Sequence, residues 1–266
     1  MVNLNNKQPI GLFDSGIGGT SIWKEVHKLL PNENTIYLSD SKNAPYGEKP
    51  VEEILKLSIK NTEILLNKGC KLIIVACNTA TTNAINYLRK NYDVPFIGIE
   101  PAIKPAALYS KTGAVGILAT KGTLSSKLFE KTSSEFAKNI VTIEQDGEGL
   151  VPLIEDGKLN SSETNELLLK YLSPMLQHNL DHLVLGCTHY PYLIPQIKKI
   201  VGENVTIIDS GAAVAKQTKS ILKKHHLLSN NFTTSKHQFY TNGSLEVLQN
   251  ILSDVTDPIL IEKLDF

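Results

Sequence analysis

Short apolar, β-branched runs alternate along the chain with longer segments whose apolar residues recur at helical spacing. IGLFD (10–14), NTIYLSD (34–40), KLIIVA (71–76) and VPFIGI (94–99) read as strands bounded by turn residues. Between them, TSIWKEVHKLL (20–30) and VEEILKLSIKNTEILLNKG (51–69) read as amphipathic helices, the second closing on Gly69 at a C′ position. Such alternation predicts an α/β fold of mostly parallel sheet flanked by helices. Reactive groups are then expected at the carboxyl ends of the strands.

The plan occurs twice. IGLFDSG (10–16) aligns with VGILATK (115–121) at an offset of 116 − 11 = 105, and LIIVACNT (72–79) aligns with HLVLGCTH (182–189) at 187 − 77 = 110. Ile97 and Ile207 each lie 20 residues past the aligned cysteine. Two pseudo-symmetric units are therefore expected. The tail holds a helical run, AAVAKQTKSILKKHH, a polar loop and a strand-like KHQFYTNG, which most simply complete the first unit. The expected domains are 1–98 plus 210–266, and 99–209, with the active site in the cleft between them.

Composition narrows the function. In 266 residues, Lys+Arg (27) balances Asp+Glu (27), so there is no basic excess to hold a nucleic acid. Hydrophobic residues make up 41%, enough for a sizeable core. Neither an apolar run of about 18 residues nor a basic-then-apolar leader is present, so a cytoplasmic protein without membrane association is expected. Three cysteines, Cys70, Cys77 and Cys187, do not make a disulfide framework. Cys70 and Trp23 read as packing residues, His178 and His182 as structural histidines, and His225-His226 as a solvated helix end. Asn231-Phe-Thr matches a glycosylation pattern that has no meaning in a cytoplasmic chain.

Cys77 and Cys187 each stand first after a buried strand, close to the start of the next helix, where a thiolate is favoured. Were the two units to face each other, the sulfurs would flank one substrate carbon. One thiolate and one thiol on opposite faces of a carbon are the groups that invert a stereocentre by proton transfer. No pyridoxal-phosphate or flavin site is recognisable, so no cofactor is expected. Catalysis would then rest on placement, exclusion of water and preorganised donors for an enolate-like carboxylate. Asn78 and Thr79 beside one cysteine, and Thr188 and His189 beside the other, supply such donors. Asp14-Ser15-Gly-Ile-Gly-Gly lacks the lysine of a P-loop, and reads as a nest of N–H groups for a small carboxylate. Asp14 can tune a thiol or meet an ammonium group. Ala-Pro-Tyr-Gly (44–47) is a turn placed to add backbone donors through Tyr46 and Gly47.

DSGIGG (14–19), NAPYG (43–47), ACNTAT (76–81) and GCTHYP (186–191), in that order, closely resemble the cofactor-independent glutamate racemases, within the aspartate/glutamate racemase superfamily. The resemblance runs from about residue 8 to the end. It implies two pseudo-symmetric α/β domains, interconversion of L- and D-glutamate for peptidoglycan synthesis, a homodimer and, in some members, regulation by a cell-wall precursor. Carried over, Cys77 and Cys187 are the two bases, assisted by Asp14 and His189 respectively, and Glu155 accompanies His189. Asp14 and Ser15, Tyr46 and Gly47, Asn78 and Thr79, and Thr188 and His189 contact substrate. Thr120 and Thr123 sit where the family places a threonine near the substrate carboxylate. The alternatives are an aspartate or hydantoin racemase, a non-catalytic two-lobed amino-acid-binding protein, and a Cys–His hydrolase. His189 after Cys-Thr argues against aspartate, a binding protein does not need twin thiols, and a hydrolase leaves one cysteine unused.

Overall fold

The computed structural model describes residues 4–136, 140–230 and 234–266, so Asn231 of the glycosylation pattern lies outside the described residues. The chain opens with β1 (Ile10–Asp14), α1 (Thr20–Leu29), β2 (Thr35–Ser39), α2 (Val51–Asn67), β3 (Leu72–Val75), α3 (Asn78–Asn91) and β4 (Phe96–Gly98). It continues through α4 (Ile103–Tyr109), β5 (Ala114–Ala119), α5 (Lys121–Leu124), α6 (Lys127–Phe136), β6 (Val141–Asp146), α7 (Leu150–Glu155), α8 (Ser162–Leu176), β7 (His182–Gly186), α9 (Ile194–Val201) and β8 (Thr206–Ile208). It closes with α10 (Gly211–Lys224), β9 (His237–Thr241), α11 (Leu245–Ile251) and β10 (Ile259–Lys263).

Two wholly parallel sheets result, ordered β10-β9-β2-β1-β3-β4 and β6-β5-β7-β8. The run β2-β1-β3-β4 and the whole second sheet follow the same order, so the duplicated plan is a duplicated topology. Register agrees: Ile10 lies opposite Leu72, and Val115 opposite His182, reproducing the offsets of 105 and 110. The last strand departs from the reading. Ile97 faces Ile74 while Ile208, not Ile207, faces Val184, an offset of 208 − 97 = 111, because the second connection is one residue longer.

Burial explains why these runs are strands. Every residue of β1, β2, β3, β5 and β7 is buried, as in a parallel sheet covered on both faces. Each fully buried Leu or Ile contributes roughly 1.5–3 kcal/mol. α2 ends as its sequence predicts: Gly69 adopts φ +79°, with the Cys70 N–H on Leu65 O and the Gly69 N–H on Leu66 O. This pair of bonds is the Schellman pattern, and it turns the chain sharply into β3. Cys70 is buried and its thiol pushed up to about 12 by burial, so it is a packing residue. Trp23 is likewise buried, its indole N–H donating to Thr35 Oγ1. His182 is tied to Asp181 through Nδ1 at 2.8 Å. Among the described residues, no helix is long and apolar enough to cross a membrane.

Candidate active site

Chemistry collects at the carboxyl ends of β1, β3 and β7. Cys77 follows β3 and caps α3, its sulfur accepting the Ala80 N–H at 3.4 Å. Cys187 follows β7, but the segment after it is a 3₁₀ turn (Tyr190–Leu193), and α9 begins only at Ile194. The expected helix-end environment therefore holds for Cys77 alone. Cys187 has His189 instead, with Nδ1 at 3.7 Å from Sγ. His189 Nε2 in turn meets Glu155 Oε1 at 2.6 Å.

Both sulfurs face one small cavity. The first lobe lines it with Ser15, Tyr46, Gly47, Cys77, Asn78 and Thr79, and the second with Thr120, Cys187, Thr188 and His189. Asp14, Thr123 and Glu155 stand directly behind this lining. Asp14 accepts the Ser15 N–H (2.7 Å) on Oδ1, and the Gly19 N–H (2.5 Å) and Thr188 hydroxyl (3.2 Å) on Oδ2. Thr79, Thr120 and Thr123 form a triangle of hydroxyls across the cleft, 2.9 to 3.3 Å on a side. Both amide atoms of Asn78 are buried at the cavity without a hydrogen-bond partner. An unpaired buried amide costs about 1–3 kcal/mol, so a ligand supplying the missing partners gains by that amount.

The glycine-rich turn differs from the nest expected of it. The Ser15 and Gly19 N–H groups go to Asp14, and the Ile17 N–H goes to Glu155 Oε1 at 2.7 Å, so the protein's own carboxylates fill the nest. A side chain at Gly16 would overlap the Glu155 carboxylate, and one at Gly18 the His189 ring. The glycines thus let the lobes dock. Two lining residues lacked a chemical signal in the sequence. Pro45 belongs to the NAPYG turn but has no polar side chain, and Val151 sits one helical turn before Glu155 on the same face of α7.

The electrostatics separate the two sulfurs. Burial, then the Asp14 charge, push the Cys77 thiol well above its ordinary range. Burial also raises Asp14, against the pull of His189. For His189, burial favours the neutral ring, but the hydrogen bonds to Cys187 and Glu155 outweigh it and hold the imidazolium. One sulfur therefore carries a proton beside a carboxyl, and the other faces a cation.

A two-lobed, duplicated α/β architecture with one thiol from each lobe at a shared cleft defines the class of protein. Residues 18–218 match the Asp/Glu/Hydantoin racemase family model. The chain belongs to that family. It is similar to the glutamate racemase of Ectopseudomonas mendocina, 43% identical over 94% of this chain and 95% of that one. Its structure is similar to a glutamate racemase isoform from Bacillus anthracis (TM-score 0.86, 31% identity, 98% and 99% of the two chains). It also resembles the Francisella tularensis glutamate racemase solved in complex with D-glutamate (TM-score 0.83, 30% identity, 98% of each chain).

Proposed function

We propose that this chain is a glutamate racemase that interconverts L- and D-glutamate without a cofactor, by proton transfer between Cys77 and Cys187, and so supplies D-glutamate for peptidoglycan. The observation that carries the reading is the convergence of one cysteine from each lobe on a single closed cavity that also holds an unpartnered amide, Asn78. The named activity of relatives at 43–44% identity supports glutamate as substrate.

In this mechanism Cys187, facing the His189 imidazolium, removes the α-proton as thiolate, while Cys77 delivers its proton to the opposite face. The negative charge then rests on Cys77, at which the Ala80 N–H is aimed. For the reverse direction Cys77 is the base, Asp14 assists it, and Cys187 returns the proton. Glu155 orients His189 and balances its charge. Ser15, Asn78, Thr79, Thr120, Thr123 and Thr188, with the backbone of Tyr46 and Gly47, hold the substrate carboxylates and the enolate-like charge. We assign residues 1–98 with 210–266 to one domain and 99–209 to the other, following strand membership. Three buried free cysteines support a reducing, cytoplasmic setting. A homodimer carries over from the family resemblance.

Purified protein without added cofactor is expected to racemise L-glutamate in deuterium oxide, with solvent deuterium appearing at the α carbon of the D-product. Aspartate run alongside is expected to stay unchanged. Racemisation of another amino acid with glutamate untouched overturns the substrate assignment, and product formed without deuterium overturns the proton-transfer mechanism.

A further inference from the structure

The carboxyl edge of the first sheet carries more polar chemistry than the two-base reaction uses. Cys77 follows β3, and Asp14 ends β1. Asp14 lies in register with Ser39 of β2, and Ser39 with Thr241 of β9. The residues just past that last pair, Asp40 and Asn242, are both buried and touch: Asn242 Nδ2 donates to Asp40 Oδ1 at 2.6 Å. Sheet register alone thus places a carboxylate and an amide beside the catalytic strand ends.

Asp40 makes one contact that reaches the cavity. Its Oδ2 accepts the Tyr46 hydroxyl at 2.5 Å, and Asn61 Nδ2 donates to the same hydroxyl at 3.1 Å. The Tyr46 hydroxyl therefore donates one bond and accepts another inside the lobe. Pro45, Tyr46 and Gly47 form one wall of the catalytic cavity. Pro45 and Gly47 lack polar side chains, so the Tyr46 phenol is the wall's polar anchor. Asn43 Nδ2 (2.8 Å) and Lys60 Nζ (3.8 Å) hold Asp40 from its other sides, and Asn242 Oδ1 accepts the Lys42 N–H at 2.9 Å.

We propose that Asp40 is a positioning residue of the racemase site, fixing the Pro45–Gly47 wall against bound glutamate through Tyr46, with Asn242 orienting Asp40 from the neighbouring strand. This rests on the racemase reading. A wall that touches substrate equally in ground and transition states governs KM rather than kcat.

Steady-state kinetics in both directions test this, with wild type in the same assay. An inactive wild type overturns the racemase reading itself; with wild type active, the variants judge Asp40. Asp40→Ala is expected to raise KM for both enantiomers at least tenfold, with kcat within threefold. Asp40→Asn is expected to restore KM to within threefold, because its amide can donate to the Tyr46 hydroxyl, and the Asn61 amide can flip so that its unpartnered Oδ1 accepts that hydroxyl's proton. A group that transferred protons would not be rescued by Asn. Tyr46→Phe, which removes one oxygen, is expected to raise KM at least fivefold, and it decides the matter alone should Asp40→Ala not fold. Unchanged KM in folded Asp40→Ala or Tyr46→Phe, an Asn variant as impaired as Ala, or a hundredfold fall in kcat at constant KM each overturns the proposal.

Discussion

Cys77 and Cys187 occupy equivalent places in a duplicated fold, yet one is buried beside a carboxyl and the other faces an imidazolium. That inequality is useful in a reaction that needs one base and one acid at the same moment. In the proposed mechanism each direction uses both sulfurs, so loss of either stops both directions. Cys77→Ser and Cys187→Ser are each expected to lower racemisation at least a thousandfold, about 4 kcal/mol in barrier. With β-chloroglutamate, chloride leaves once the α-proton is removed, so only the deprotonating sulfur is needed. Each variant is then expected to process one enantiomer and not the other, read as chloride release from the pure D and L compounds. Equal loss toward both enantiomers would overturn the assignment of one base to each face.

At the scale of elements, α1 carries the glycine-rich turn at its start and is held at its middle by Trp23, which packs on His237 of β9. The hydrogen bonds fix the His237 tautomer. Thr35 Oγ1 accepts the Trp23 indole N–H and donates to His237 Nδ1, while Nε2–H donates to Ser235. Burial, with the His27 charge, lowers His237 from 6.5 to about 4. The sign follows: above pH 6.5 the folded and unfolded chains are equally deprotonated here, and between 6.5 and 4 the unfolded chain takes up a proton that the folded one refuses. Stability therefore falls by up to about 3 kcal/mol as pH drops through that window. His237→Gln is expected to flatten the fall in Tm between pH 6.5 and 4.5 relative to wild type; parallel Tm curves would show that the histidine is not the cause.

Legibility of the sequence divides along the same lines. The buried strands and the residues just past them were readable, because a short, β-branched, wholly apolar run such as LIIV suits a strand covered on both faces, and its end is where the sheet exposes side chains. β10 and α11 were not foreseen: ILIEK buries only part of an edge strand, and seven residues give too few turns to show a period. The second-lobe register was off by one for a local reason, an extra residue in a connection. Asp40 and Asn242 escaped notice because their pairing spans 202 residues and depends on which strands are neighbours, which local pattern does not encode.

For the whole molecule, the cavity between the sulfurs has a free volume of only about 10 Å³, room for one water and not for glutamate. The lobes must part for substrate to enter. On one side they are joined by Ile17 to Glu155, Ser21 Oγ to Thr188 O (2.9 Å) and Thr20 to Tyr192 (2.5 Å). On the other, a larger cavity of about 500 Å³ shares Pro45, Gly47, Thr120 and Val151 with the catalytic one, and this marks the mouth. There the lobes meet backbone to backbone. A Cβ on Gly122 would lie 2.9 Å from Gly47 Cα and O and 3.0 Å from Thr79 Cγ2, all atoms of the opposite lobe. Gly122 lies on α5, whose backbone accepts alanine, and the three nearest atoms its Cβ would meet belong to the opposite lobe, so Gly122→Ala acts on closure of the lobes. It is expected to raise KM for glutamate at least tenfold while Tm stays within about 2 °C of wild type. Small-angle scattering at saturating glutamate is expected to give a larger radius of gyration than wild type. A Gly122→Ala protein with wild-type KM and radius would show that catalysis does not require the lobes to approach this closely.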